Sequence, residues 1–285
     1  MATDKKLRVL VPKGRIEKKV LRVLARTGME LRFGSREYKP VCSDPDLEVK
    51  MLKPQNIPPL VELGRHDCGF TGYDWIVEQR SKVRELLDLG YDPVRIVSAV
   101  PESGPASNGR LVVASEYRRI TQNYIDSKGL DAIFVQAYGA TEALPPDDAD
   151  MIVENTSTGT TLSVNRLRVV DEIMTSTTRF ICNEEAYERD DWKRAKMEQM
   201  AMLIRSTLEA DRRSILEMNV PPQRLEDVVA ALPCMRSPTV SPLHGEDGYA
   251  VKVALARGDV TGLVPKLRKM GATDILEYRA EKIVV

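Results

Sequence analysis

"LRVLVPKGRIEKKVLRVLARTGMEL", residues 7–31, sets the fold class. Residues 7–11, Leu-Arg-Val-Leu-Val, are apolar but for Arg8, as in a buried strand, and Pro-Lys-Gly-Arg at 12–15 turns the chain. Ile16, Val20, Leu21, Val23 and Leu24 then recur at helical spacing up to Gly28. Strand, short polar turn and helix make one β-loop-α unit. Such units gather loop amides and helix N-termini at the carboxyl edge of a sheet, where anions are held.

The pattern repeats downstream. In "IPPLVELGRHDCGFTGYDWIVEQR" (57–80), a short helix ends at Leu60–Leu63, Asp67–Phe70 form a strand, and 71–74 turn into another helix. "VRIVSAVPE" (94–102) is a strand leading into another lobe, followed by "RLVVAS", a helix around Tyr117–Lys128, and "DAIFVQAYG". "ADMIVEN" supplies a further strand, "TLSVNRLRVVDEIM" (161–174) the helix after it, and "TTRFICN" a strand returning toward the first lobe. Alternating strands and helices with short links predict α/β sheets, here in two lobes with a cleft between them. Residues 187–213 predict one long helix, and Met197, Met200 and Met202 on it read as packing residues rather than cofactor ligands. The last 75 or so residues read β-α-β-β-α-β, the order of a ferredoxin-like module.

The expected domains are therefore 1–95 (lobe I, with 183–210 returning to it), 96–182 (lobe II) and 211–285 (C-terminal). At 285 residues and 32.0 kDa the chain is long enough for several cores. Lys plus Arg (42) equals Asp plus Glu (42), so no global field favours nucleic acid or an anionic membrane, and any polyanion must meet a local site. No segment approaches the roughly 20 apolar residues that span a bilayer. The apolar run near the N-terminus is too short for a signal peptide, so a cytoplasmic protein is expected. Cys42, Cys68, Cys182 and Cys234 form no CxxC pair, which suits reduced thiols, and two histidines, His66 and His244, make a zinc site a poor expectation.

"VENTSTGTTL", residues 153–162, carries the chemistry. Thr156, Ser157, Thr158, Thr160 and Thr161 offer five hydroxyls, and Gly159 lets the backbone approach a ligand closely. With a helix starting at Thr161, the amides of 157–161 lie at its positive end, which describes a phosphate cradle. Glu154 at its entrance suits ribose hydroxyls or a magnesium ion. Ser and Thr are also ordinary helix caps, and Gly an ordinary turn residue, so composition leaves both readings open. No GxxxxGK[ST] is present.

"ENTSTGTTL" resembles the phosphoribosyl-pyrophosphate loop of the ATP phosphoribosyltransferase family. "LVPKGRI" (10–16), "KPQNIPPLVELGRHDCGFTGYD" (53–74), and "SPTVSPL" with the terminal "GATDILEYRAEKIVV" agree in the same order. The resemblance covers nearly the whole chain. It implies the family's long form, with a two-lobed α/β catalytic unit like type II periplasmic binding proteins and a C-terminal ferredoxin-like (ACT-like) domain that binds histidine as feedback inhibitor. The implied reaction is attack of ATP N1 on C1 of phosphoribosyl pyrophosphate, with Mg2+, giving phosphoribosyl-ATP and pyrophosphate in the first step of histidine biosynthesis. Homo-oligomers (dimer and hexamer), and no separate regulatory subunit, are implied as well.

Carried onto this sequence, the resemblance makes Lys13, Arg15 and Glu154 catalytic and has Glu154, Asn155, Thr156, Ser157, Thr158, Gly159, Thr160 and Thr161 hold phosphoribosyl pyrophosphate. Glu154 meets magnesium directly or through water, the ion riding mainly on substrate phosphates. ATP falls to Lys13, Arg15, Lys53, Asp67, Gly72 and Asp74. Lys53 stands where the family often has arginine, which keeps the charge and loses the two-pronged geometry. Asp67 and Asp74 flank "CGFTGY", and His66 reads as a surface turn residue. Tyr73 and Trp75 are expected to pack in the core. Asn219, Ser241 and Leu243 fall at the implied histidine site. The rival reading is a cytoplasmic ligand sensor of the same two-lobed form, which has little use for a hydroxyl cradle behind Glu154.

Overall fold

Strand β1 (Leu7–Pro12) carries an almost wholly buried side-chain row, and strands pair with it on both edges. After it come α1 (Glu17–Arg26), the short pair β2 (Leu31–Arg32) and β3 (Val41–Cys42), β4 (Leu47–Leu52), α2 (Ile57–Glu62), β5 (Cys68–Gly72), α3 (Tyr73–Gln79) and β6 (Arg84–Asp88). The chain then builds a second sheet from β7 (Val94–Pro101), β8 (Leu111–Ser115), α4 (Arg118–Lys128), β9 (Ala132–Gln136), β10 (Met151–Thr156), α5 (Thr160–Val164) and β11 (Leu167–Ser176). It returns through β12 (Thr178–Cys182) and continues as α6 (Glu184–Arg189) and α7 (Asp191–Arg212). The computed structural model describes residues 5–34, 38–104 and 109–284; residues 1–4, 35–37, 105–108 and 285, which include the ends of the first and last expected domains, lie outside it. Two compact units divide the chain at residues 1–201 and 202–285.

The first unit contains both sheets, ordered β4-β1-β5-β12-β6 and β11-β7-β10-β8-β9. In the first, β4, β1 and β5 are parallel and β12 is antiparallel to both its neighbours. In the second, β9, β8 and β10 are parallel, while β7 and β11 add antiparallel pairs. Close packing dictates the sequence at the centre. A Cβ on Gly69 would stand 2.9 Å from both Leu10 Cβ and Ile57 Cγ2, and Phe70 stacks on Phe180 at 4.6 Å. Two crossovers join the lobes side by side: Leu89 N donates to Thr178 O, and Thr178 N to Tyr91 O.

Three expectations change. Residues 161–174 are not one helix: α5 stops at Val164, Arg166 adopts φ 53°, and residues 167–176 form β11. The β-branched run Val169, Val170, Ile173, Thr175 fits a strand, and pairing along all of β7, with two bulges, outweighs a weak helical period. The strand in 177–183, expected to return toward lobe I, does so as β12, pairing with β5 and β6, so the bound of 182 expected for lobe II falls too late. The long helix starts anew at Asp191, since Asp190 turns extended (φ −120°, ψ 99°) and its carboxylate accepts from Lys193 N.

The second unit has β13 (Arg213–Val220), α8 (Leu225–Ala230), β14 (Thr239–Pro242), β15 (Tyr249–Ala256), α9 (Val260–Lys269) and β16 (Thr273–Tyr278), in sheet order β14-β15-β13-β16. That is the ferredoxin-like arrangement. Strict alternation along β13 buries Leu216, Met218 and Val220 with Val228, Val251, Leu263 and Leu267.

Asp67 pins the first unit. Its carboxylate, 1% exposed, accepts from Arg8 N (2.8 Å), Arg8 Nη2 (2.8 Å) and Lys193 Nζ (2.9 Å). Burial raises its pKa, but the bonds from Arg8 and Lys193 outweigh that and hold it below the usual carboxylate range. The stabilisation is therefore present above the unfolded pKa and lost as pH falls through the folded one. Asp67→Asn is expected to cost about 2 kcal/mol at pH 7, less than for a fully buried pair because Arg8 is partly exposed. Urea midpoints should show the gap to wild type closing below pH 4; a gap independent of pH would show that packing, not charge, is at work.

Candidate active site

The loops that follow β1, β5, β8, β9 and β10 meet at carboxyl ends of parallel strands, the edge where α/β sheets present ligands. Two cavities open there. The larger, about 380 Å3, is lined by Arg15, Glu116, Gly139, Ala140, Glu142 and residues 154–162. The smaller, about 130 Å3, is lined by Arg15, Ile16, Pro54, Gly72, Asp74, Trp75, Tyr117 and Asn155. Arg15 and Asn155 belong to both, so the two spaces adjoin.

The hydroxyl loop keeps donors free. Gly159 N donates to Thr156 Oγ1 (3.0 Å), and Thr158 and Thr160 share a hydrogen bond between their hydroxyls. Among the described residues the amides of Ser157, Thr158 and Thr161 have no hydrogen-bond partner. Gly159 has φ +81°, a left-handed conformation, and open space where a Cβ would project. The helix behind the loop is only five residues long, so the cradle owes its character to loop amides and hydroxyls more than to a helix dipole.

Glu154 stands at the mouth. Its Oε1 accepts from Asn155 N (2.8 Å) and Asn155 Nδ2 (2.7 Å). Burial pushes its carboxyl up to about 7, and the carboxylates of Glu116 and Glu142 act in the same direction against the bonds from Asn155. Tyr117 reaches Asp74, its hydroxyl donating to Asp74 Oδ2 (2.7 Å), while Ser176 Oγ donates to Asp74 Oδ1 (2.6 Å). The Tyr117 ring stacks on Trp75 at 4.6 Å. A Cβ on Gly72 would lie 2.1 Å from Asp74 Oδ1, so this glycine exists to make room for a carboxylate rather than for an unusual φ.

Sequence reasoning and structure part company at three ATP candidates. Asp67 lies at the amino end of β5, saturated by Arg8 and Lys193 and outside both cavities. Lys13 lays its ammonium over the Tyr38 ring at 4.0 Å, and only Arg15, two residues on, lines the cavities. Lys53 is exposed, and its neighbour Pro54 takes the cavity wall. Trp75 packs against the buried core, as expected, and also lines the smaller cavity. Glu116, Glu142 and Tyr117 were missed; the available signal was that Glu116 and Tyr117 directly follow the strand "RLVVAS", where a β-loop-α unit presents ligands. His66 is half-buried, its pKa lowered by burial and by Lys50 and Arg8, and it lines neither cavity. In the second unit, Asn219 and Ser241 both pair with Ala250 and share one sheet face, while Leu243 N donates to Gly248 O.

Glu154→Gln separates stability from ligand binding. Between 4.5 and about 7 the folded chain holds a proton that the unfolded chain releases, so wild-type stability falls as pH rises through that window, by up to roughly 3 kcal/mol. The glutamine variant should escape this fall, and unfolding midpoints running parallel from pH 4 to 8 would refute the assignment. Gly72→Ala should displace the Asp74 carboxylate and lower ligand affinity in the smaller cavity roughly tenfold, a loss on the scale of one charged hydrogen bond. Nucleotide titration tests this.

Against known proteins, the family model described as "ATP phosphoribosyltransferase" matches residues 53–206, and that described as "HisG, C-terminal domain" matches residues 210–282. The chain is 40% identical over 290 residues to "ATP phosphoribosyltransferase" of Thermodesulfovibrio yellowstonii, covering 99% of each. It is 39% identical to "ATP phosphoribosyltransferase" of Pelotomaculum thermopropionicum, covering 98% of this chain and 99% of that one. Among solved structures, a chain of the "ATP phosphoribosyl transferase (HisG:HisZ) complex from Thermotoga maritima" matches at TM-score 0.63 and 28% identity, over 70% of this chain and 98% of that one.

Proposed function

This chain belongs to the ATP phosphoribosyltransferase family, and from that premise we propose that it joins ATP N1 to C1 of phosphoribosyl pyrophosphate, releasing pyrophosphate, in histidine biosynthesis. The observation that carries the reading is the larger cavity, lined by the unspent amides of Ser157, Thr158 and Thr161, by the loop hydroxyls and by the Glu154 carboxyl. The donor's 5′-phosphate takes the loop and its ribose hydroxyls take Glu154 and Asn155. Arg15, shared by both cavities, pairs with phosphate oxygens where the substrates meet. ATP occupies the adjoining space beside Asp74 and Trp75.

Departure of pyrophosphate builds positive charge on the ribose and negative charge on the leaving group. Position and charge stabilisation therefore suffice without a covalent nucleophile. The hard oxygens of Glu116, Glu142 and Glu154 fit a hydrated magnesium ion. Among the described residues no three such side chains are close enough to hold a metal alone. Bound with the substrate phosphates, the ion would supply charge neutralisation, and Glu116, Glu142 and Glu154 would help to hold it.

The second unit is the proposed histidine sensor, with Asn219, Ser241 and Leu243 as contacts. The matched chain of the Thermotoga maritima complex is spanned by 70% of this one. The remainder here supports regulation within the chain rather than by a separate subunit, in a homo-oligomer of dimers and hexamers. No described helix is long and apolar enough to cross a membrane. Four free cysteines are in keeping with a reducing cytoplasm.

The test combines ATP, phosphoribosyl pyrophosphate, magnesium and pyrophosphatase and follows product absorbance with and without histidine. Magnesium-dependent turnover suppressed by histidine is expected. Gly159→Val should stay folded and lose roughly 100-fold in turnover, because a β-branched residue refuses the left-handed backbone and shifts the loop. A folded wild-type protein that binds one substrate without turnover would replace the enzyme reading with that of a sensor.

A further inference from the structure

One hydrogen-bond chain runs from lobe I to the donor loop, and its direction is fixed by its ends. Carboxylate oxygens accept, so Ser176 Oγ and Tyr117 Oη both donate to Asp74. A phenol has one proton. With that proton committed to Asp74, the Tyr117 oxygen can only accept, and Asn155 Nδ2 stands 3.2 Å from it. The other Asn155 N–H meets Glu154 Oε1 at 2.7 Å. Both amide protons are thereby spent, which leaves the Asn155 carbonyl oxygen as the group that can meet a ligand in the cavities this residue lines. Burial and the neighbouring Asp74 raise the Tyr117 pKa well above the usual phenol value, so the proton stays in place.

We propose that Tyr117 is a positioning residue for donor binding: through its hydroxyl it orients the Asn155 amide, so that Asn155 presents an acceptor to a ribose hydroxyl of the donor while bracing Glu154. Because the chain starts at Asp74 in lobe I, the set of the donor loop depends on the contact between the lobes. Two further links hold that contact: the stack of Tyr117 on Trp75, and Glu78, which accepts from the amides of Arg119 and Ile120. This inference rests on the donor-loop reading above.

Tyr117→Phe keeps the ring and its stack and removes the one hydroxyl. Direct titration with phosphoribosyl pyrophosphate should show Kd rising about tenfold, within the range for a buried hydrogen bond left unpaired. Kd for ATP should change less than threefold. Asn155→Leu should weaken the donor similarly, and the double variant should be no more than about twofold worse than the worse single one, since both break one chain. Multiplying effects, an unchanged donor Kd in Tyr117→Phe, or equal losses for ATP and donor would overturn the proposal.

If Tyr117→Phe fails to fold, Asn155→Leu alone provides the test, because it removes the amide that Tyr117 orients: donor Kd should rise about tenfold with ATP Kd changed less than threefold, and an unchanged donor value would overturn the proposal. Wild-type protein that does not bind the donor at all would instead bring down the donor-loop reading.

Discussion

The Asp74 carboxylate is the point on which the first unit turns. It takes hydrogen bonds from Ser176, at the end of β11 where the chain crosses back, and from Tyr117, at the start of α4 in the other lobe. One buried group thus ties the crossover, the lobe contact and, through Asn155, the donor loop. The arrangement demands space that only glycine leaves at position 72. A buried carboxylate is tolerated because every bond it needs is supplied, and removal of any supplier exposes the full desolvation cost.

The larger cavity reverses that economy. The amides of Ser157, Thr158 and Thr161 are left without partners among the described residues and burial raises the Glu154 pKa to about 7, so polar capacity is reserved for a ligand instead of being spent on the fold. A fold that satisfied these groups internally would be more stable and less useful. Asp67 shows the contrast within the same unit: its carboxylate is 1% exposed, yet Arg8 and Lys193 pair it fully and hold it below the usual carboxylate range.

Much of this was legible from residues. The largely apolar segments at 7–11 and 94–101, each with one arginine, read as interior strands, and the β-α-β-β-α-β order of the last domain follows from alternation such as that along β13. The loop at 156–161 stood out because five hydroxyls around a glycine after a strand suit an anion, while composition alone left a plain helix start equally open. The two aspartates around "CGFTGY" looked equivalent, but Asp67 precedes its strand and Asp74 follows it, and ligands collect only at the carboxyl end. Attention to strand direction would have separated them.

Sequence by itself determined which segments are apolar, where the chain must turn and which loop can hold an anion, because those depend on local periodicity and side-chain chemistry. Tertiary structure alone decided that residues 167–176 are a strand, that Lys13 turns to Tyr38 while Arg15 turns to the cleft, and that Tyr117 governs Asn155. These outcomes rest on hydrogen bonds and burial between residues far apart in the chain, such as the 102 positions between Asp74 and Ser176. No local pattern encodes such partners, since each becomes available only once the other has folded into place.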